Sequence, residues 1–280
     1  MLGDVIGVLQ CPLCGAGFVS SGSSLVCERH HSFDVGRQGY ASLLSGDANL
    51  GTADTQQMVK AREVFLATGE YEPIAHAVAE CARQAVARAP GVVVDVGAGT
   101  GYYLSACLEA VPDRLGVALD LSKYAAKRAA RAHPRIGAVV CDAWRTLPLK
   151  SGAASVVLDV FAPRNAAETQ RALHPNGALV VVTPTQEHLA ELVSALSLLS
   201  VDEAKESRLD AALSGHFSRA SSLRVRHVMS LSHESIQALV SMGPSTRHVS
   251  AEDLREGILG LPEPMSVTLS VQVATYHPIA

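Results

Sequence analysis

The chain has 280 residues, a net charge of −4, and a composition that is 48% hydrophobic and 18% charged. That length accommodates one large α/β domain plus a small module, and the apolar content excludes wholesale disorder. The acidic balance excludes a surface coated in positive charge, but not a nucleic-acid partner, because local basic clusters matter more than the sum.

The N-terminus carries no basic n-region and no long apolar h-region, and the longest apolar runs, such as 179–183, are strand-length. Neither a signal peptide nor a membrane span is expected. Of the six cysteines, Cys81, Cys107 and Cys141 read as single buried thiols, a pattern that suits a reducing cytoplasm.

Residues 1–44 read as a small metal-binding module. Cys11, Cys14, Cys27 and His31 follow the spacing C-x2-C-x12-C-x3-H. Two close pairs of soft or borderline ligands can surround one tetrahedral zinc ion, with no position left for water, so the site is expected to be structural. His30 competes with His31 for the fourth place. Leu25-Val26 and Ser32-Phe33-Asp34-Val35 alternate like short strands, as in a zinc ribbon too small to fold on hydrophobic burial alone. Residues 45–56 read as a linker, and 57–280 as the larger domain.

Helices are predicted near 56–67 and 72–88, broken by Gly69 and Pro73. Strands near 91–96, 115–119, 137–141, 154–160 and 178–183 then alternate with helices near 101–110, 122–132, 165–172 and 186–199. This alternation implies a mostly parallel sheet covered on both faces. Beyond residue 222, strands near 223–230 and 266–276 flank helices near 233–241 and 251–258.

The first of the alternating strands runs into Asp95-Val96-Gly97-Ala98-Gly99-Thr100-Gly101 and opens a helix. The glycines permit a tight turn and close backbone approach to a ligand. Tyr102 stands where a dinucleotide fingerprint needs glycine, so the spacing fits S-adenosylmethionine better than NAD. Asp120 ends the second strand, 25 residues after Asp95, where an acid can hold both ribose hydroxyls. Its alternative role as a helix cap is better filled by Ser122. Asp142 ends the third strand, placed to accept from an adenine amino group, with a loose surface carboxylate as the alternative. Two basic clusters, Lys123/Lys127/Arg128/Arg131/Arg135 and Arg219/Arg224/Arg226/His227, read equally as solvated faces or phosphate contacts.

Together these residues resemble the 23S rRNA guanine-N1 methyltransferases, including the tylosin-resistance branch of actinomycetes. The likeness runs along the whole chain: Cys-Pro-x-Cys, the segment Cys27–Asp34, Gln38-Gly39-Tyr40, Leu43-Leu44, Asp54, Met58, Ala61-Arg62, Phe65-Leu66, Gly69 and Tyr71. It continues through Leu173-His174-Pro175-Asn176-Gly177 and Thr183-Pro184 to His188-Leu189. Phe161-Ala162-Pro163-Arg164-Asn165 and Ser241-Met242-Gly243-Pro244-Ser245 are closest to the tylosin-resistance branch.

The resemblance implies a zinc-bearing RNA-recognition module on a Rossmann-like S-adenosylmethionine-dependent methyltransferase domain with a mostly parallel seven-stranded sheet. It also implies a homodimer that modifies N1 of a guanine in a 23S rRNA hairpin of the peptide exit tunnel, conferring resistance to tylosin-type macrolides. Tyr71, Gly99-Thr100 and His188 match cofactor contacts of the family; alone, Tyr71 reads as a core aromatic and His188 as a helix-start histidine. Guanine N1 carries a proton and sits on the Watson–Crick edge, so the base must be unpaired or flipped and the proton must leave. Asp159 is the candidate base, and Phe161 the candidate stacking partner. Arg62 reads either as a phosphate contact or as a partner for an acid. The competing function is a small-molecule methyltransferase of secondary metabolism, for which the zinc module has no evident use.

Overall fold

The computed structural model describes residues 1–44, 51, 53–196, 198, 205–243 and 251–279. Most of the predicted linker, the end of the helix predicted over 186–199, and Pro244-Ser245 lie outside the described residues.

Helix α1 (Leu2–Val5) buries Leu2 and Val5. Strands β1 (Phe18–Ser21), β2 (Ser24–Cys27) and β3 (Ser32–Asp34) form a three-stranded antiparallel sheet in that order. Phe18 and Phe33 meet edge to face beneath it, with ring centroids 5.7 Å apart. The ribbon has no core of its own. Leu9, Cys11, Phe18, Leu25, Cys27 and Phe33 share one apolar cluster with Val94, Val117, Leu119, Val139 and Leu179 of the main sheet. Strand β4 (Tyr40–Ser42) keeps one bridge to the end of the ribbon, Ala41 to Val35, and pairs in parallel with a strand almost a hundred residues later, Tyr40 opposite Ala138 and Ser42 opposite Val140.

Helix α2 (Gln56–Leu66) starts at Thr55, whose hydroxyl accepts from the Met58 N–H. After a turn at Gly69 (φ +82°), α3 (Glu72–Val86) carries Pro73 in its first turn and buries Ile74, Val78, Ala82 and Ala85 along one stripe.

The α/β alternation then follows: β5 (Val92–Val96), α4 (Tyr102–Ala110), β6 (Gly116–Asp120), α5 (Lys123–Ala132), β7 (Ile136–Val140), β8 (Ala154–Val160), α6 (Ala166–Ala172) and β9 (Leu173–Pro184). Strands β5, β7 and β8 are buried at every residue, as strands covered on both faces must be. Helix α7 (Ala190–Ala195) is shorter than predicted. A turn closed by the His188 N–H on the Thr185 carbonyl, and a left-handed Leu189, delay its start. The chain ends with α8 (Lys205–Leu213), β10 (Phe217–Leu231), α9 (His233–Ser241), α10 (Ala251–Leu259) and β11 (Met265–Pro278). Helices α1 and α8 were not anticipated from the sequence.

The large sheet runs β10-β11-β9-β8-β5-β6-β7-β4. It holds the seven strands of the expected Rossmann-like arrangement, β5 to β11, with β4 added at one edge. β11 is antiparallel to β9, and β10 to β11, over longer spans than the sequence suggested. The strand order reverses on either side of β5, so the loop that leaves β5 sits at the topological switch point, where open α/β sheets bind ligands. No helix among the described residues is long and apolar enough to cross a membrane.

Candidate cofactor and metal sites

The ribbon brings its four candidate ligands together. Cys11 and Cys14 flank a tight turn in which the Cys11 carbonyl accepts from the Cys14 and Gly15 N–H groups. Cys27 ends β2, and His31 directly precedes β3. The Cys11 and Cys27 sulfurs each lie 3.5 Å from His31 Nδ1, and Cys14 Sγ lies 3.7 Å from Cys27 Sγ. All four ligand atoms fall within 4.8 Å of one another. A tetrahedron with Zn–S of about 2.3 Å and Zn–N of about 2.0 Å has edges of roughly 3.5–3.8 Å, so these residues fit zinc. His30 is exposed in a left-handed turn (φ +61°) and takes no part.

The glycine loop after β5 is pinned from beneath. The Gly97 and Ala98 N–H groups both donate to the Leu119 carbonyl, and the Gly99 N–H donates to Asp120 Oδ2 at 2.8 Å. Gly97, Gly99 and Gly101 all have positive φ. A Cβ at Gly97 would come 2.7 Å from Ala162 Cβ, and Gly101 packs against Ala129 and Ala132 of α5. Glycine is therefore required by backbone angle and by space together. Asp120 Oδ1 accepts from the Ser122 N–H, and Ser122 itself caps α5. Burial pushes the Asp120 carboxyl up against the pull of these two hydrogen bonds.

Beside the loop lies a cavity of about 340 Å³, lined by Gly97, Gly99, Asp120, Asp142, Phe161 and Arg62 among others. Its floor is the end of the parallel strands. Asp142 accepts from the Trp144 N–H, which holds its carboxylate at the rim. Asp95 lies under the loop, buried, and its Oδ2 has no hydrogen-bond partner among the described residues. Burial first, then the neighbouring Asp120 and Asp159, drive its carboxyl well above the usual range.

Tyr71, Phe161 and His188 form a second group. The Tyr71 hydroxyl is 3.4 Å from His188 Nε2, and His188 Nδ1 accepts from the Ser270 N–H, which leaves the ring proton on Nε2 facing Tyr71. Phe161 is 40% exposed despite its size and holds φ at +56°. Large side chains rarely adopt that backbone conformation, and such residues gather at functional sites. Asp159, two residues earlier, is buried, with Oδ1 3.4 Å from Arg164 Nε. Burial raises its carboxyl to about 7, against the pull of Arg164.

Of the predicted cofactor residues, Gly97, Gly99, Asp120 and Asp142 line the cavity; Tyr71, Asp95, Gly101 and His188, like Asp159, are not among its lining residues, and Thr100 lines a separate hollow with Tyr102, His76 and Arg128. The basic clusters are largely compensated. Arg135 donates to the carbonyls of Leu108, Val111, Pro112 and Arg114 and so secures the end of α4. Arg128 pairs with Glu63, Arg219 with Asp210, and Arg224 and Arg226 both with Glu187. Trp144, which sequence reasoning passed over, lines the cavity and is 67% exposed. It is the chain's single tryptophan, two residues after Asp142, and that isolation was the available signal.

Comparison with known proteins agrees with this geometry. A family described as "RlmA, N-terminal" matches residues 9–47, and "Methyltransferase domain" matches 93–177. The chain is 47% identical over 277 residues to the 23S rRNA (guanine(748)-N(1))-methyltransferase of Streptomyces fradiae, covering 99% of each chain. It is 46% identical over 293 residues, again 99% of each, to a Micromonospora griseorubida protein named provisionally as a 23S rRNA (guanine-N(1)-)-methyltransferase.

Proposed function

Because the chain belongs to the 23S rRNA (guanine-N1)-methyltransferase family and is an S-adenosylmethionine-dependent enzyme with a structural zinc site, we propose that its target is a guanine in a 23S rRNA hairpin lining the peptide exit tunnel. The methylation confers resistance to tylosin-type macrolides, and the enzyme acts in the cytoplasm as a homodimer.

One observation supports this reading above the others. Pro12 and Leu13 of the zinc knuckle border a cleft with Cys141, Asp142 and Arg145, and Cys141 and Asp142 also line the cofactor cavity. An RNA strand seated on the ribbon therefore passes the rim of the methyl-transfer site. A small substrate would have no use for that adjacency.

Bound S-adenosylmethionine supplies a methyl group already activated on sulfonium sulfur. The chain's own residues have three tasks. Gly97 and Gly99 let the backbone approach the cofactor, while Asp120 and Asp142 orient its ribose and adenine. Phe161 offers an exposed ring on which the unpaired guanine stacks, backed by His188 and Tyr71. Asp159 would take the proton that guanine N1 loses when the methyl group leaves sulfur for nitrogen, and a carboxyl raised to about 7 suits that work at neutral pH.

Primer extension on 23S rRNA from a susceptible host, with and without the protein, tests the proposal. A new stop at a guanine in the tunnel-lining hairpin is expected, because an N1 methyl blocks pairing. The guanine at 748, named for the Streptomyces fradiae relative, is the first position to inspect. No new stop, with cofactor binding intact, would favour the small-molecule reading.

A further inference from the structure

The cofactor cavity is acidic, with Asp54, Asp120 and Asp142 in its lining, and Arg62 is the one cation among the described lining residues. Arg62 reaches in from α2 and lies across the glycine loop. Its Cδ, Nη1 and Nε sit 3.3, 3.6 and 3.7 Å from where a Cβ on Gly99 would stand. Nη2 is clamped by Asp54 Oδ2 at 2.6 Å and by the Met242 carbonyl at 3.1 Å. Asp54 is itself fixed, because its carbonyl accepts from the Ser122 hydroxyl at 2.7 Å. Nε is buried and has no hydrogen-bond partner among the described residues. A buried guanidinium N–H left without an acceptor is costly, so its persistence beside a ligand cavity indicates an acceptor that arrives with the ligand.

The cofactor's charges identify that acceptor. Its sulfonium and amino groups are cationic and find acids in the cavity; its single anionic group is the α-carboxylate at the methionine end, the end expected at the glycine loop. We infer that Arg62 binds this α-carboxylate through the Nε–H, while Asp54 and the Met242 carbonyl hold Nη2 and so fix the plane of the guanidinium. Arg62 is thereby a cofactor-binding residue and not an RNA-phosphate contact. The inference rests on the S-adenosylmethionine reading of the site.

Isothermal titration of the full chain with S-adenosylmethionine and with decarboxylated S-adenosylmethionine tests it. The unaltered chain is expected to prefer the carboxylate-bearing ligand by roughly ten- to a hundredfold, as one charge-assisted contact provides. Arg62→Met should weaken S-adenosylmethionine alone and bring the two ligands to within about threefold, with Arg62→Lys intermediate. Equal affinity of the unaltered chain for both ligands would overturn the inference, whether or not the variants fold. So would an Arg62→Met variant that weakens both ligands alike. Binding of neither ligand by the unaltered chain would overturn the cofactor reading and this inference with it.

Discussion

Phe161 stacks on His188, with ring centroids 5.9 Å apart and planes 21° from parallel. The histidine braces one face of a ring that also meets Tyr71 and stays 40% exposed. If the target base lies on that surface, Phe161→Ala should slow single-turnover methylation of an rRNA fragment by about ten- to a hundredfold, the worth of one base–aromatic stack. Calorimetric affinity for S-adenosylhomocysteine should change little. Loss of cofactor affinity with unchanged turnover at saturation would assign Phe161 to the cofactor instead.

The pH dependence of the single-turnover rate reports on Asp159. A base must be deprotonated, so the rate should climb as pH rises through about 7 and then level off. Arg164→Met removes the charge that holds the carboxyl down and should move the midpoint upward. Asp159→Asn should abolish the pH limb and cost roughly a hundred- to ten-thousandfold in rate. Normal turnover by that variant would end the assignment.

The same carboxyl makes folding stability depend on pH. It titrates at 3.8 ordinarily and at about 7 in the fold. A raised folded value means that the native state retains a proton the unfolded chain has released. The contribution is fully present below 3.8 and is lost as pH rises to about 7. Asp95 and Asp120, also pushed up by burial, act in the same direction. Melting curves of Asp159→Asn should therefore lose less stability than the unaltered chain between those two values.

Gly97→Ala should bind S-adenosylhomocysteine roughly five- to a hundredfold more weakly, since an overpacking shift of about 1–3 kcal/mol is imposed on the loop itself. The added methyl meets Ala162 Cβ at 2.7 Å, on a backbone with φ of +71°. Unchanged affinity by titration would show that the loop has room the geometry denies.

Cys14→Ser, or a chelator, should remove zinc and lower the melting temperature in one cooperative transition. A separate early transition of the ribbon is not expected, because its apolar residues share a cluster with β5, β6 and β7. Two resolved transitions by calorimetry would contradict this.

The cofactor strand, its glycine loop and the acids at the ends of β6 and β7 were legible because each is local: an apolar run, a turn, a residue at a strand's end. The zinc ligands were legible because their chemistry restricts spacing. Strand β4 was not. Tyr40-Ala41-Ser42 carries no pattern of its own, and the pairing with distant residues 138–140 makes it part of the large sheet. Arg135 misled for a related reason. It stands in a basic run, yet its guanidinium serves backbone carbonyls that sequence does not reveal. Neither the left-handed turn at Phe161 nor the clamp on Arg62 by Met242, 180 residues away, leaves a local mark.

Strand β4 also bears on how one nucleotide is chosen among many. Backbone rungs rivet Tyr40–Ser42 to β7, the strand that delivers Cys141 and Asp142. The ribbon is thus not a reader swinging on a leash. On the proposed function it is the fixed jaw of a caliper whose other jaw is the cavity beside the glycine loop. If the ribbon grips the RNA, a guanine is selected by its distance along the strand from the gripped part, and sequence around the target can vary as long as that span is kept.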